Sequence, residues 1–308
     1  MLAGLTMLQV ALLLVCGVLL DVMLGEARRW HPLIGFGNLA QAIERRLNQG
    51  GLHFMRGPGA WLLAVVPLSA LAFLVCGHAG MAAHALLLYF SLGLRSLRDH
   101  NLPIAHALEH GELDSARLLT ARIVSRDTTN AGEAELAKAS TESLLENGND
   151  AVFGTLFWFI VAGGAGALLF RLANTLDAMW GYRTSRYLQF GCAAARIDDA
   201  LAFLPARLTA LSYVLLASDR KTAWRCWRAQ APRWSSPNAG PVMASGAGAL
   251  GIVLGGDASY DGVVEHRPQL GQGRPARGSD IVRAWKLVRA TTILWLACAC
   301  LVAGALHA

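Results

Sequence analysis

Charged side chains are absent from residues 1–20 and again from 60–94, and further apolar stretches fill 151–170, 200–217 and 290–306. A bilayer core takes about 20 apolar residues per helix. Long apolar blocks alternating with charged connectors therefore predict an all-α, polytopic integral membrane protein with roughly 4–6 hydrophobic segments. The 1–20 block begins without a basic residue and shows no small-residue cleavage site before Asp21, Arg28 and Arg29, which predicts a retained helix and not a signal peptide. Residues 60–94 are too long for one crossing and suit two short ones turning at Gly77-His78-Ala79-Gly80. The 151–170 block is interrupted by Gly163-Gly164-Ala165-Gly166. That cluster divides it into pieces too short to span, so a helical hairpin returning to the cytoplasmic side is predicted. Residues 200–217 contain Pro205 and Arg207, both costly against lipid, and should pack in protein. Only 290–306 reads as an ordinary closing span.

Between these blocks the pattern changes. Between Asp99 and Asp150, Leu, Ile and Ala recur at helical spacing among acids, predicting two cytoplasmic amphipathic helices, the second opening near Thr128-Thr129 and running toward Asn147. On it Glu135, Glu142, Glu146 and Asn149 share a face. The Pro-, Gly- and Ser-rich run 232–278 predicts a long irregular loop. The resulting organisation is 1–95 N-terminal membrane helices, 96–150 polar amphipathic helices, 151–217 broken membrane segments carrying polar motifs, 218–286 a basic Gly/Pro-rich region, and 287–308 a C-terminal membrane helix.

Composition agrees: 54% of residues are hydrophobic and 16% charged, against about 25% charged in soluble domains. The formal charge of +6 is unevenly spread, with ten Lys or Arg against five acids in 219–286 but six against ten in 95–150. Basic connectors favour the cytoplasm, which puts 26–59 and the late region there and the N-terminus outside. The basic residues are dispersed and accompany no nucleic-acid motif, so no nucleic-acid partner is expected. The six cysteines form no CxxC pair and read as buried thiols.

Candidate chemistry sits where polar residues interrupt apolar runs. Glu146-Asn147-Gly148-Asn149-Asp150 abuts an apolar block, where unpaired carboxylates are costly. Asn174-Thr175-Leu176-Asp177 follows the glycine break, then Arg196-Ile197-Asp198-Asp199 and Pro205-Ala206-Arg207-Leu208-Thr209. Adjacent Asp198 and Asp199 suit a hard cation such as Mg²⁺ completed by phosphate oxygens. Interspersed arginines suit phosphate or carboxylate; the alternative is that Arg196 simply neutralises Asp198 or Asp199. Glycines around Ser236-Pro237-Asn238-Ala239-Gly240 and Gly246 to Gly256 suit close phosphate approach or a structural loop, and no Walker A sequence is present.

In this order the motifs resemble the CobD/CbiB family of adenosylcobinamide-phosphate synthases, over nearly the whole chain. The resemblance is carried by His31-Pro32-Leu33-Ile34-Gly35, Arg126-Asp127-Thr128, Glu142 with Glu146-Asn147, Asn174 to Met179 with Gly181-Tyr182, Arg196 to Asp199, Pro205 to Thr209, and Ser236 to Gly240 followed by Gly248-Ala249-Leu250-Gly251. It implies a multi-pass protein of the cell inner membrane that uses ATP and Mg²⁺ to join an aminopropanol or ethanolamine phosphate to a corrinoid carboxylate. Among the matching acids, Glu142, Glu146 and Asp177 become candidate catalytic groups, and Asp198 and Asp199 candidate metal ligands. Arg126, Asn147, Asn174, Arg196, Arg207 and Asn238 become candidate substrate or phosphate contacts. Implied partners are the corrinoid, the amino-alcohol phosphate and membrane lipid, with a homo-oligomer or other corrin-pathway membrane enzymes left open.

Two departures stand out: Glu26-Ala27 replaces the family's Asp-Pro after Gly25, and Pro241-Val242-Met243 replaces its Trp-Pro-Glu. The second removes a carboxylate and leaves the amine donor open. A non-catalytic membrane regulator of the AmpE type is the alternative reading, and a transporter a third, suggested by the broken helix and intramembrane arginine.

Overall fold

The structure, a computed structural model, describes residues 3–26, 31–51, 53–260 and 262–307. Ala27, Arg28 and Arg29, named above, lie outside these residues. The described chain runs through helices α1 (Met7–Leu24), α2 (Pro32–Leu47), α3 (His53–Ser91), α4 (Leu94–Glu109), α5 (Leu113–Thr120), α6 (Glu133–Gly148), α7 (Gly154–Trp180), α8 (Cys192–Leu216), α9 (Arg220–Gln230), α10 (Ala239–Leu250) and α11 (Gly278–His307). Short strands β1 (Ile252–Gly255), β2 (Ala258–Tyr260), β3 (Val263–Glu265), β4 (Gln269–Gly271) and β5 (Arg274–Pro275) separate the last two helices. Among the described residues five helical segments are long and apolar enough to cross a membrane, so the protein is an all-α, multi-pass membrane protein. The chain divides into two compact units: Met1–Gly93, Asp150–Ala202 and Leu296–Ala308 form the first, and Leu94–Asn149 with Phe203–Trp295 the second.

In the first unit, small residues let helices approach closely, the packing mode available when lipid is as apolar as leucine. Ala60, Ala64 and Val65 of α3 meet Leu172, Ala173 and Leu176 of α7 in one core with Phe36 and Ala40 of α2. Large apolar side chains such as Leu62, Leu63 and Leu74 are exposed on α3, as lipid-facing positions require. The predicted breaks occur where expected. α3 loses helical geometry at Gly80 (φ 60°) and α7 at Ala162 and Gly163, the latter with φ 63°. Positive φ is inexpensive only for glycine. Breaking α7 frees the Gly164 amide, which donates to Nδ1 of the buried His84 at 2.9 Å.

At the end of α2, buried Glu44 receives a forked pair of bonds from Arg186, 3.0 and 2.8 Å, and one from Asn48, 2.7 Å. Burial works against the Glu44 carboxylate, but these donors outweigh it and hold it below its ordinary range.

In the second unit the polar segment departs from expectation. It forms three helices, α4, α5 and α6, where two were predicted. α6 opens at Glu133 behind an N-cap at Gly132, not at Thr128-Thr129, because Glu135 supplies the cap by accepting from the Gly132 amide at 2.8 Å. Nor is α6 amphipathic in the simple sense: Leu136, Ala137, Ala139 to Leu145 and Gly148 are all buried.

The predicted irregular loop at 232–278 is likewise corrected. It contains α10, almost wholly buried, and a three-stranded sheet in the order β4-β1-β5, with β1 antiparallel to β4 and parallel to β5. β2 and β3 form a separate antiparallel pair. Glycine runs that resembled loop served close packing instead: a Cβ on Gly246 would enter Leu145, and one on Gly248 would meet the Ala223 backbone at 2.8 Å.

Candidate functional site

The first unit gathers acids. On α7, Arg171, Asn174 and Asp177 recur every third residue and so share a face. α8 brings Asp198 and Asp199, and a π-helical turn, Asn149–Phe153, between α6 and α7 brings Asp150. Such turns re-aim side chains and often occur at functional positions. Asp198 lies within electrostatic reach of Asp150, Asp177 and Asp199, and Asp177 within reach of Asp150 and Asp199. Asn174 hydrogen-bonds the Asp198 carboxylate, and its own Oδ1 accepts from Arg171 at 3.2 Å. Arg171 also donates to the Asp150 carbonyl at 3.3 Å. Asp198 is 8% exposed, and its Oδ1 has no partner among the described residues.

Arg171 lies within electrostatic reach of Asp150, Asp198 and Glu26, and one buried oxygen of Asp198 is left without a partner among the described residues. Leaving such an atom unsatisfied costs about 1–3 kcal/mol or more. A hard divalent cation is the group this donor set suits. Among the described residues no three His, Cys, Asp or Glu side chains converge into a complete protein cage. Phosphate oxygens and water would have to complete the coordination, as is usual for Mg²⁺. The donor chemistry fits that cation.

The second unit holds a different constellation. Buried Glu142 accepts from Arg126, from Arg267 at 3.4 Å and from the Gly255 amide at 2.7 Å. The positive φ of Gly255 ends β1 and aims that amide. Glu142, Arg126 and Arg267 line a cavity of about 380 Å³ together with Glu146, Asn147 and Trp234. Asn147 donates to Ser143 Oγ at 3.0 Å.

Arg207 and Asn238 are brought together elsewhere in this unit. Arg207 donates to Asn238 Oδ1 at 2.6 Å, to the Pro237 carbonyl at 2.9 Å and to the Phe203 carbonyl at 3.0 Å, and it lies over the Phe203 ring. Protein groups thus occupy its fork, clasping α8 to the turn before α10. Arg196 is exposed.

Among the predicted residues, then, Asn174, Asp177, Asp198 and Asp199 join one cluster, and Arg126, Glu142, Glu146 and Asn147 another. Asp150, Arg171 and Arg267 were not among the predicted site residues. The three-residue spacing of Arg171, Asn174 and Asp177 is a signal that would have found the first partner. Arg267 meets Glu142 across 125 residues of sequence and leaves no local signal.

The sequence model of the family described as CobD/Cbib protein matches residues 14–288. A cobalamin biosynthesis protein CobD of Stutzerimonas stutzeri is 53% identical over 293 residues, covering 94% of this chain and 96% of that relative. One of Chromobacterium violaceum is 50% identical, covering 97% and 99%. One of Mycobacterium tuberculosis strain H37Rv is 38% identical, covering 89% of each. No solved structure matches the chain.

Proposed function

The chain belongs to the CobD/Cbib family, and from that premise we propose that it is the adenosylcobinamide-phosphate synthase of cobalamin biosynthesis. It would sit in the cell inner membrane and join adenosylcobyric acid to an aminopropanol or ethanolamine phosphate in an ATP-dependent reaction. The observation that carries the catalytic part is the leftover oxygen of Asp198 inside a four-acid cluster. ATP would transfer its terminal phosphoryl group to the corrinoid carboxylate, releasing ADP, and the amine would then displace inorganic phosphate from the acyl phosphate; Mg²⁺ would neutralise the transferring charge. Asp198 and Asp199, with Asp177 and Asp150, would hold that cation, while Asn174 and Arg171 fix the orientation of the acids. The amine must reach the carboxyl carbon neutral, so a carboxylate has to hold its proton. Glu146, a matching acid of the family motifs that lines a cavity with Asn147, would be that carboxylate. Glu142 is committed to Arg126 and Arg267 and serves to position them.

A non-catalytic AmpE-like regulator is not favoured: it would need neither polar cluster, and the relatives at 50% and 53% identity are named cobalamin biosynthesis proteins. Purified protein in detergent should consume ATP only when cobyric acid and an amino-alcohol phosphate are both present. Consumption that ignores either substrate, or none at all, overturns the ligase reading.

A further inference from the structure

One helix of the second unit carries positive charge that its neighbours do not balance. From Arg220 to Arg233 the sequence holds five Lys or Arg and no acid. α9 supplies four of them. Asp219, its N-cap, accepts from the Thr222 amide at 3.0 Å and hydroxyl at 2.6 Å and lies within electrostatic reach of Arg225, which itself donates to Thr222 Oγ1 at 3.0 Å. α10 and β4, which pack against α9, bear no charged side chain. At 3.6 residues per turn, Arg220, Trp224, Arg228, Lys221 and Arg225 follow one another around about 140° of the helix, and all five are exposed. The other side is buried through Ala223 and Cys226. Trp224, 45% exposed, meets Trp227 edge-on with ring centroids 5.1 Å apart, and Trp227 packs on Val214, Ala217 and Ala223. The indole is thus held outward among cations, an arrangement suited to a membrane–water interface, where one ring meets apolar and polar surroundings at once.

The connection to α8 brings this face to that level. α8 is long and apolar enough to cross a membrane. Leu204, Leu208, Leu211 and Leu215, at spacings of four, three and four, form an exposed apolar row along it. Only Ala217 to Asp219 separate α8 from α9. Four residue steps reach at most about 14 Å, so α9 begins in or just beyond a headgroup layer about 5–7 Å deep. The bias of cations toward the cytoplasmic side accounts for basic residues in this region. It does not account for four of them sharing an arc with an exposed tryptophan. We propose that this arc of α9 is a docking surface for the anionic headgroups of the surrounding bilayer, with Arg220, Lys221, Arg225 and Arg228 against lipid phosphates and Trp224 at headgroup depth.

The test is lipid retention by the full-length protein in detergent, titrated with phosphatidylglycerol or phosphatidylcholine of the same acyl chains and read by native mass spectrometry. Wild type should retain phosphatidylglycerol at least about tenfold more strongly, and raising the ionic strength should erode that preference. Replacing Arg220, Lys221 and Arg228 together by Gln should lower phosphatidylglycerol retention at least about tenfold and leave phosphatidylcholine unchanged, whereas Arg220→Lys with Arg228→Lys, which keeps the charge, should retain the wild-type preference. Arg228→Gln alone, which alters the topology signal least, should lower it about fivefold. Phosphatidylglycerol should also raise the thermal unfolding midpoint of wild type more than that of either Gln variant. Unchanged preference in folded Arg228→Gln and triple variants would reduce the cations to a topology signal and overturn the proposal. Displacement of the lipid by an equal concentration of inorganic phosphate would make the face a soluble-anion site, and displacement by polyglutamate would assign it to an acidic protein; either result also overturns it.

Discussion

Asp198 and Glu44 are both buried carboxylates, and they differ in what surrounds them. Glu44 has a full set of donors; Asp198 has Asn174, three neighbouring acids and an oxygen with no partner among the described residues. The first arrangement stabilises the fold; the second, on the proposed reading, awaits a ligand. Asp198→Asn should reduce turnover at least about a hundredfold, the scale of losing a group that stabilises transferring charge, while membrane insertion and thermal stability stay near wild type. A variant retaining more than a tenth of activity removes Asp198 from the site. For Glu44 the folded carboxylate lies below its ordinary value of 4.5. Its stabilising contribution is therefore complete above that value and disappears as pH falls through the lower folded one. Thermal unfolding in detergent between pH 7 and pH 3 should show a steeper acid loss for wild type than for Glu44→Gln; parallel curves would contradict the assignment.

At the scale of elements, the break in α7 and its imidazole cap form a unit. A Cβ on Gly164 would lie 3.0 Å from Leu87 Cβ and 3.1 Å from His84 Cα. Gly164→Leu should cost about 1–3 kcal/mol or more through overpacking, and His84→Phe a similar amount by orphaning the Gly164 amide. Denaturation midpoints measure both, and a neutral His84→Phe would show that the amide finds another acceptor. These breaks were legible in sequence because the glycines divide apolar runs into pieces whose lengths do not suit a single crossing. α10 and the small sheet were not: alanine and glycine carry no apolar periodicity, and β1 pairs with β4 through contacts that only the folded chain creates. The same holds for the site. Asp198 and Asn174 announced themselves as polar residues beside apolar blocks. Glu142 looked like one stripe on a solvated helix until Arg126, Arg267 and Gly255 converged on it.

For the whole molecule the open prediction is the side on which 181–191 emerges. On the proposed ligase reading the phosphoryl chemistry draws ATP from the cytoplasm, so the segment carrying Ser185 should face it. A cysteine placed at Ser185, in a background without the native thiols, should resist an impermeant reagent applied to intact cells and react in inverted vesicles. Labelling from outside would refute the returning hairpin. The division of the chain into units has a separate consequence, one of timing. The first unit begins with α1 but includes Leu296–Ala308, whose Ala299 and Ala303 are buried. The ribosome must make the whole stretch from Phe203 to Trp295 before that unit has all its parts. At about 5–20 residues per second this is an interval on the order of 5–20 s. During it the acid cluster belongs to an unfinished bundle, which makes the nascent chain, more than the completed protein, the form most exposed to membrane quality-control proteases.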